Sequence, residues 1–230
     1  MTSSRRRRHP DAVPATLVLS AWEPEIAPLR RLVSRIGRGE LTLATVGVGA
    51  VDAAVGAAQA IALARPKRVV FVGTAGAYRR GRETPPVGSA VIADRVCLVS
   101  TAVVRGDGYL PQPMITEVVA SAPLAAALGA AAPHPIPTGT VACPVAITRS
   151  AALGRLIAQA TGATLENLEA FAVLRAAAVA GVEATAAVLG VANRVGPRAH
   201  PEWQASHLAA SRTACRIVWG LLSAKGRLAR

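Results

Sequence analysis

Apolar residues fall along this chain in short runs of two kinds, and their alternation predicts the architecture. Residues 15–21 (ATLVLSA) are a compact apolar run of the kind that forms a buried strand. The run leads into WEPEIAPLRRLVSRIG, where Ile26, Leu29, Leu32, Val33 and Ile36 recur at helical spacing. Residues 41–48 predict a second strand. Gly49 then opens a helix that stops at Arg65-Pro66, because the residue before a proline is pushed out of helical geometry. A third strand over 68–72 runs into Gly73-Thr74-Ala75-Gly76. This βαβαβ order argues for a largely parallel sheet covered by helices.

The pattern then changes. Residues 87–104 read as consecutive strands with no helix between them, followed by a loop around 106–113 and an apolar helix through Ala130. Pro133, Pro135 and Pro137 mark a linker before a strand over 139–142, and Thr148 is placed to cap a helix over 149–160. The chain is organised around residues 164–198. Glu166 and Glu169 lie beside Asn167, a helix over 170–180 ends at Gly181, and a buried strand over 183–191 leads to Asn193. A loop with Arg194, Gly196, Pro197 and Arg198 follows, and a closing helix over 201–228 carries Trp203 and Trp219. In open α/β sheets, ligands sit beyond the carboxyl ends of strands, so the polar residues at both ends of this unit can face one pocket. The alternative is that Glu166 and Glu169 only decorate a helix N-terminus, where the dipole favours carboxylates.

Composition narrows the function. The length of 230 residues fits one domain, with no internal repeat and no second boundary. Hydrophobic content is 52% and mean hydropathy +0.38, but much of that is alanine, and no run approaches the roughly 18 apolar residues of a membrane span. Glu23 and Glu25 interrupt the first apolar run, so RRRRHP is not followed by the apolar core expected of a signal peptide. Met1–Pro14 is expected to be a disordered basic arm on a domain over 15–230, in a cytoplasmic protein. The net charge of +13 raises a nucleic-acid partner, with the arm as its contact. Against it, the other arginines are scattered, the lysines are only Lys67 and Lys225, and 3% aromatics leave few rings for bases to stack on. Nucleic acid therefore stays a minor alternative.

Candidate chemistry is sparse. Cys97, Cys143 and Cys215 have no metal spacing and no even pairing, so they are expected as reduced structural thiols. No metal ligand pattern or Gly-x-Ser-x-Gly elbow is present, and His9, His134, His200 and His207 receive no catalytic role. Gly47-Val48-Gly49 lacks the third glycine of a dinucleotide fingerprint and follows the second strand rather than the first, so it reads better as a tight turn. Gly73-Thr74-Ala75-Gly76 either lets amides and the Thr74 hydroxyl approach a ligand or merely permits a turn.

Taken in order, AWEPEIAPL (21–29), VGVGAVDAA (46–54), VGTAGAY (72–78) and Glu166-Asn167-Leu168-Glu169 resemble the nucleoside phosphorylase/nucleosidase superfamily, from Ala15 to about His207. The resemblance implies a three-layer αβα fold with a central mixed, partly barrel-like sheet, a purine nucleoside substrate, a homo-oligomer and no cofactor. It places Glu25 on the acid that activates water and Thr74, with Gly76 in the same turn, where a hydroxyl holds that water or a phosphate. Glu169 falls on the carboxylate that binds ribose hydroxyls, beside Asn167 and with Leu168 packed on the sugar. Ile147 and Thr148 fall near the base, and Asn193 faces purine N7 and the 6-substituent. Adenine-directed members usually carry an aspartic acid there. An asparagine cannot give a proton, but its amide can donate to a 6-oxopurine. Glu-Asn-x-Glu followed by Asn193, Gly196, Arg198 and Trp203 most resembles the futalosine hydrolase branch, which releases hypoxanthine from futalosine in a menaquinone pathway. Arg105, Arg194 and Arg198 are candidate partners for that substrate's carboxylated tail. Leu189 replaces an arginine and Ala192 a serine of the adenine-directed enzymes, and Val87-Gly88-Ser89 replaces a Gly-Asp turn. The arginine loss argues against phosphorolysis and leaves open a weakened, nucleoside-binding relative.

Overall fold

The computed structural model describes residues 16–33 and 41–228, with side chains through 223; the arm expected over Met1–Pro14 lies outside the described residues. Five consecutive buried positions make β1 (Thr16–Ser20) the inner strand of a parallel trio. Strands β2 (Leu41–Thr45) and β3 (Arg68–Ala77) flank it. The connecting helix α1 (Glu23–Val33) buries Ile26 and Leu29, and α2 (Ala50–Ala64) buries Ala53, Ala57 and Ile61. Those are the three- and four-residue intervals of a one-sided helix.

Strand β3 is longer than the apolar pattern predicts. In place of a turn through Gly73–Gly76, the chain stays extended to Ala77, because these residues keep pairing in parallel with β8 (Ala184–Arg194). The register shifts between Ala75 and Gly76, and a Cβ on Gly76 would lie 2.8 Å from Asn193 Nδ2. Gly76 is there for close approach, not for a turn.

The middle of the chain corrects the sequence reading in three places. Residues 87–104 hold one strand, β4 (Ala90–Val99), and then a helix, α3 (Thr101–Arg105). The apolar run 102–104 has strand propensity, but Gly106 takes a left-handed conformation and donates its N–H to Val103 O, closing a helical turn. Next, β5 (Glu117–Val119) pairs antiparallel with β4, so the apolar helix begins only at Ala122, as α4 (Ala122–Ala130). Finally, Ser150 rather than Thr148 caps α5 (Ala151–Thr161), its hydroxyl accepting from the Leu153 N–H at 3.2 Å.

Strand β6 (Thr138–Pro144) runs parallel to β4, and the two-residue β7 (Leu165–Glu166) completes the sheet. Strand β7 meets β6 on one side and β3 on the other, while β8 joins β3 to β4, so five strands pair in a ring. The sheet is therefore mixed and partly closed into a barrel, as the resemblance implies. Alternate strand residues feed two cores, as the two-residue strand period requires. Leu17, Phe71 and Leu189 pack under α2 and α6 (Ala170–Val179). Val18, Val70 and Val188 pack under α1, α4 and the long α7 (Ala199–Leu228). Helix α7 lies so close to β8 that a Cβ on Gly190 would come within 2.2 Å of Ala210 O. This seating fixes where the first turn of α7 sits, which matters for the site. Among the described residues, no helix is long and apolar enough to cross a membrane.

Candidate active site

A cavity of about 380 Å³ lies at the carboxyl ends of β1, β3 and β8, closed by the β7–α6 turn and the first turn of α7. Glu25, Thr74, Gly76, Ile147, Asn167, Leu168, Glu169 and Asn193 all line it, so eight of the twelve candidate residues singled out from the sequence meet in one place. Thr148 lies just behind: its side chain is buried, and its N–H donates to Glu166 Oε1 at 2.9 Å.

Glu25 is set into the wall by the tight Ala21–Trp22 turn after β1 and is only 5% exposed. Its Oε1 accepts from the Thr74 N–H at 3.0 Å and from the Thr74 hydroxyl at 2.6 Å, and its Oε2 accepts from the Ser20 hydroxyl at 3.2 Å. A carboxylate offers about four acceptor positions, so roughly one remains for a water. Burial pushes Glu25 up to about 7, with the Thr74 hydroxyl pulling it down and the charge of Glu169 adding to the rise. A carboxyl poised there can take a proton at neutral pH.

Glu169 stands at the start of α6, and both readings of the Glu166–Glu169 pair contribute to its placement. The helix cap is supplied by Asn167, whose Oδ1 accepts from the N–H groups of Glu169 and Ala170 at 2.9 and 2.7 Å. That leaves the Glu169 carboxylate free to turn into the cavity. Its Oε1 accepts from Gly49 N–H, at the positive end of α2, at 2.8 Å. Its Oε2 accepts from Asn167 Nδ2 at 3.0 Å, and burial raises its pKa. Asn167 Nδ2 also donates to Thr74 O at 3.0 Å, tying the β7–α6 turn to β3. Glu166 is a strut: it accepts from the Tyr78 hydroxyl at 2.8 Å, and burial beside it holds that phenol far above its ordinary range.

Asn193 is buried at the end of β8, beside the space that Gly76 leaves open. Its Nδ2 donates one proton to Arg194 O at 3.1 Å, and the second amide proton remains for a ligand. Arg198 is not brought in. It is 83% exposed and pairs with Glu202 at 3.8 Å, because the first turn of α7 carries it away from the cavity. Arg194 donates to Pro85 O, and Arg105 ends α3; neither lines the cavity. None of the three arginines is placed to meet a substrate tail inside it.

The wall also holds three aromatic rings to which the sequence assigns no site role: Trp22, His200 and Trp203. Trp22 adjoins Glu25 in the motif itself, but His200 and Trp203 reach the site only because α7 folds back over the sheet. The three cysteines are buried and unpaired, and burial raises Cys97 to about 11 and Cys215 to about 12. They are thiols, as expected. Among the described residues, no cluster of three or more His, Cys, Asp or Glu is arranged to hold a metal.

Fold and site together define a mixed-sheet α/β protein with the buried carboxylates of Glu25, Glu166 and Glu169 lining one cavity at the strand ends. The profile of the phosphorylase superfamily matches residues 17–223, and the chain belongs to that superfamily. The futalosine hydrolase of Streptomyces coelicolor is 32% identical over 134 residues, covering 56% of this chain and 55% of that protein. The chain thus aligns with about half the length of the curated relative it matches. Among solved structures, the futalosine hydrolase of Helicobacter pylori superposes with a TM-score of 0.81 at 15% identity, over 92% of this chain and 98% of the other. The 5'-methylthioadenosine/S-adenosylhomocysteine nucleosidase of Helicobacter pylori gives 0.82 at 14% identity, over 92% and 98%. That of Neisseria meningitidis gives 0.79 at 20%, over 91% and 98%. At these identities the structural likeness establishes the fold.

Proposed function

We propose that the protein is a purine nucleoside hydrolase acting as a homo-oligomer on a 6-oxopurine nucleoside. The substrate is futalosine, cleaved to hypoxanthine and dehypoxanthinyl futalosine in menaquinone biosynthesis. The observation that carries this reading is the pair of buried carboxylates, Glu25 and Glu169, facing one cavity that the Asn193 amide also lines. Glu25 positions a water and takes its proton as the water attacks the anomeric carbon. Glu169 orients the ribose hydroxyls and stabilises the positive charge that develops on the sugar as the N-glycosidic bond breaks. The departing purine keeps the bonding pair, and the Asn193 amide donates a hydrogen bond to O6 or N7.

Water is favoured over phosphate as the nucleophile. Among the described residues, no arginine or lysine lines the cavity, and Leu189 is fully buried in the core. A phosphate dianion would face Glu25 and Glu169 with no cationic side chain to offset its charge.

The test is product release from futalosine, inosine and methylthioadenosine, each with and without phosphate. Hypoxanthine release from futalosine that ignores phosphate is the expected result. Adenine release from methylthioadenosine in preference to futalosine would replace it with a methylthioadenosine-type nucleosidase. Binding of all three without cleavage would leave a nucleoside-binding protein. Asn193→Asp sharpens the result. Burial would raise the new carboxyl's pKa, letting it protonate a 6-aminopurine, and the ratio of adenine to hypoxanthine release should rise by roughly tenfold or more.

A further inference from the structure

The roles above leave the indole of Trp203 unexplained. Its Nε1–H donates to the Thr74 hydroxyl at 3.1 Å, and that same hydroxyl donates to Glu25 Oε1 at 2.6 Å. A hydroxyl has one proton and two lone pairs. With the indole proton on a lone pair, the Thr74 proton is left to point at the carboxylate. The chain is therefore directional, and each bond polarises the next. The residue opposite Thr74 on the neighbouring strand is Gly190, which has no side chain to donate to the hydroxyl.

The indole is itself held in place. His207 stacks on it with ring centroids 4.2 Å apart and planes 15° apart. His200 and Trp22 lie at 6.2 and 6.1 Å. One helical turn links His207 Nδ1 to Trp203 O at 3.0 Å. Such packing leaves the indole N–H little freedom to turn elsewhere.

We propose that Trp203 is a positioning residue for Glu25, its indole N–H aiming the Thr74 hydroxyl at the carboxylate and fixing that carboxylate's orientation toward the attacking water. The inference rests on Glu25 being the base of a nucleosidase, but the relay belongs to the resting protein and can be observed without turnover. Ser20 on β1, Thr74 on β3, Glu169 across the cavity and Cys215 on α7 face Glu25; the Cys215 thiol donates to Glu25 O at 3.3 Å. His200 and His207 face the indole, and Glu202 of the same turn is engaged with Arg194 and Arg198.

Two measurements test it. The ¹⁵N-labelled protein has three indole N–H resonances, from Trp22, Trp203 and Trp219, and Trp203→Phe assigns the one of interest. That resonance is expected to titrate with a midpoint near 7 and to lose this titration in Glu25→Gln. No titration in the native protein, or full titration persisting in Glu25→Gln, overturns the relay. In the kinetic measurement, Trp203→Phe keeps a stacking ring and removes the N–H. Its kcat should fall about three- to tenfold with KM within about twofold. The acid limb of kcat/KM should also move to higher pH, because a less firmly donated Thr74 proton stabilises the carboxylate less. A change in KM alone, or a native kcat and pH limb, overturns the proposal. If no purine nucleoside is cleaved, the proposed function fails while the indole titration still decides the relay.

Discussion

Burial lets Glu25 hold its proton to a pH at which most carboxyls have lost theirs, and on the proposed mechanism this acts on stability and turnover in opposite directions. Burial raises its folded value to about 7 from an ordinary 4.5. Between those two pH values the native state binds more protons than the unfolded chain, so stability falls as pH rises through the window and levels off above it. The full loss is roughly 3 kcal/mol. Glu25→Gln should remove that loss, since the amide stays neutral and the Ser20 hydroxyl can reverse to accept from it. The variant should therefore gain stability relative to the native protein between pH 5 and pH 8, as read by urea denaturation at both. A gap that does not change with pH would refute the assigned shift. On the proposed mechanism turnover should follow the other sign, rising with pH through about 7 as Glu25 ionises. Glu25→Gln should lower kcat by about 10²–10⁴-fold while nucleoside affinity stays near native. Glu25, Thr74, Glu169 and Asn193 are legible in the sequence because each belongs to a short motif at a strand end. Arg198 also belongs to such a motif, yet its side chain leaves the cavity with the first turn of α7. Which way a side chain leaves a helix start depends on how that helix is seated, and local sequence does not specify this.

At the scale of elements, the β7–α6 turn has the greatest leverage, and Asn167 is its centre. One amide caps α6, orients Glu169 and ties the turn to Thr74 O. Asn167→Ala leaves these buried groups without partners, which should cost about 2 kcal/mol or more. For a chain of this size the melting temperature should drop by about 4–8 °C. Nucleoside affinity should weaken with it, because Glu169 loses the donor that aims it. A melting temperature within about 1 °C of native, with unchanged affinity, would show that Asn167 is not the tie described. The same turn marks where the sequence stops being informative. The elements β1, α1, α2, β8 and α7 follow from apolar runs and periodicity, since each carries buried apolar residues of its own. Strands β5 and β7 have three and two residues, and α3 has five. Such short pieces take their conformation from pairing partners far along the chain, and β7 closes the barrel although it carries no periodic signal.

For the whole molecule, the remaining question is what covers the groove between α2 and α6. This concavity, about 920 Å³, is larger than the candidate active site but carries no comparable chemistry. Val51, Val55 and Val179 line it and are 77%, 55% and 71% exposed, among alanines of both helices. A contiguous apolar face of this kind marks an interaction surface. Arg65 and Arg175 are its charged members, and the rest of its lining is apolar apart from Gly181. The groove also meets the active site: Val48 lines the cavity, and Ala50 and Val51 begin the groove. A second copy of the chain fits these facts best, because a two-fold contact buries the same apolar face on both subunits and closes without leaving an edge. It would brace the N-terminal turn of α2, whose Gly49 N–H holds Glu169. Sedimentation should accordingly find a dimer at micromolar concentration. Val55→Asp, which buries an unpaired charge in the contact, should yield a folded monomer. Its far-ultraviolet spectrum should be native, while its nucleoside affinity falls as Gly49 and Glu169 loosen. A native protein that sediments as a monomer would remove the dimer, and a Val55→Asp monomer with full affinity would sever the groove from the site.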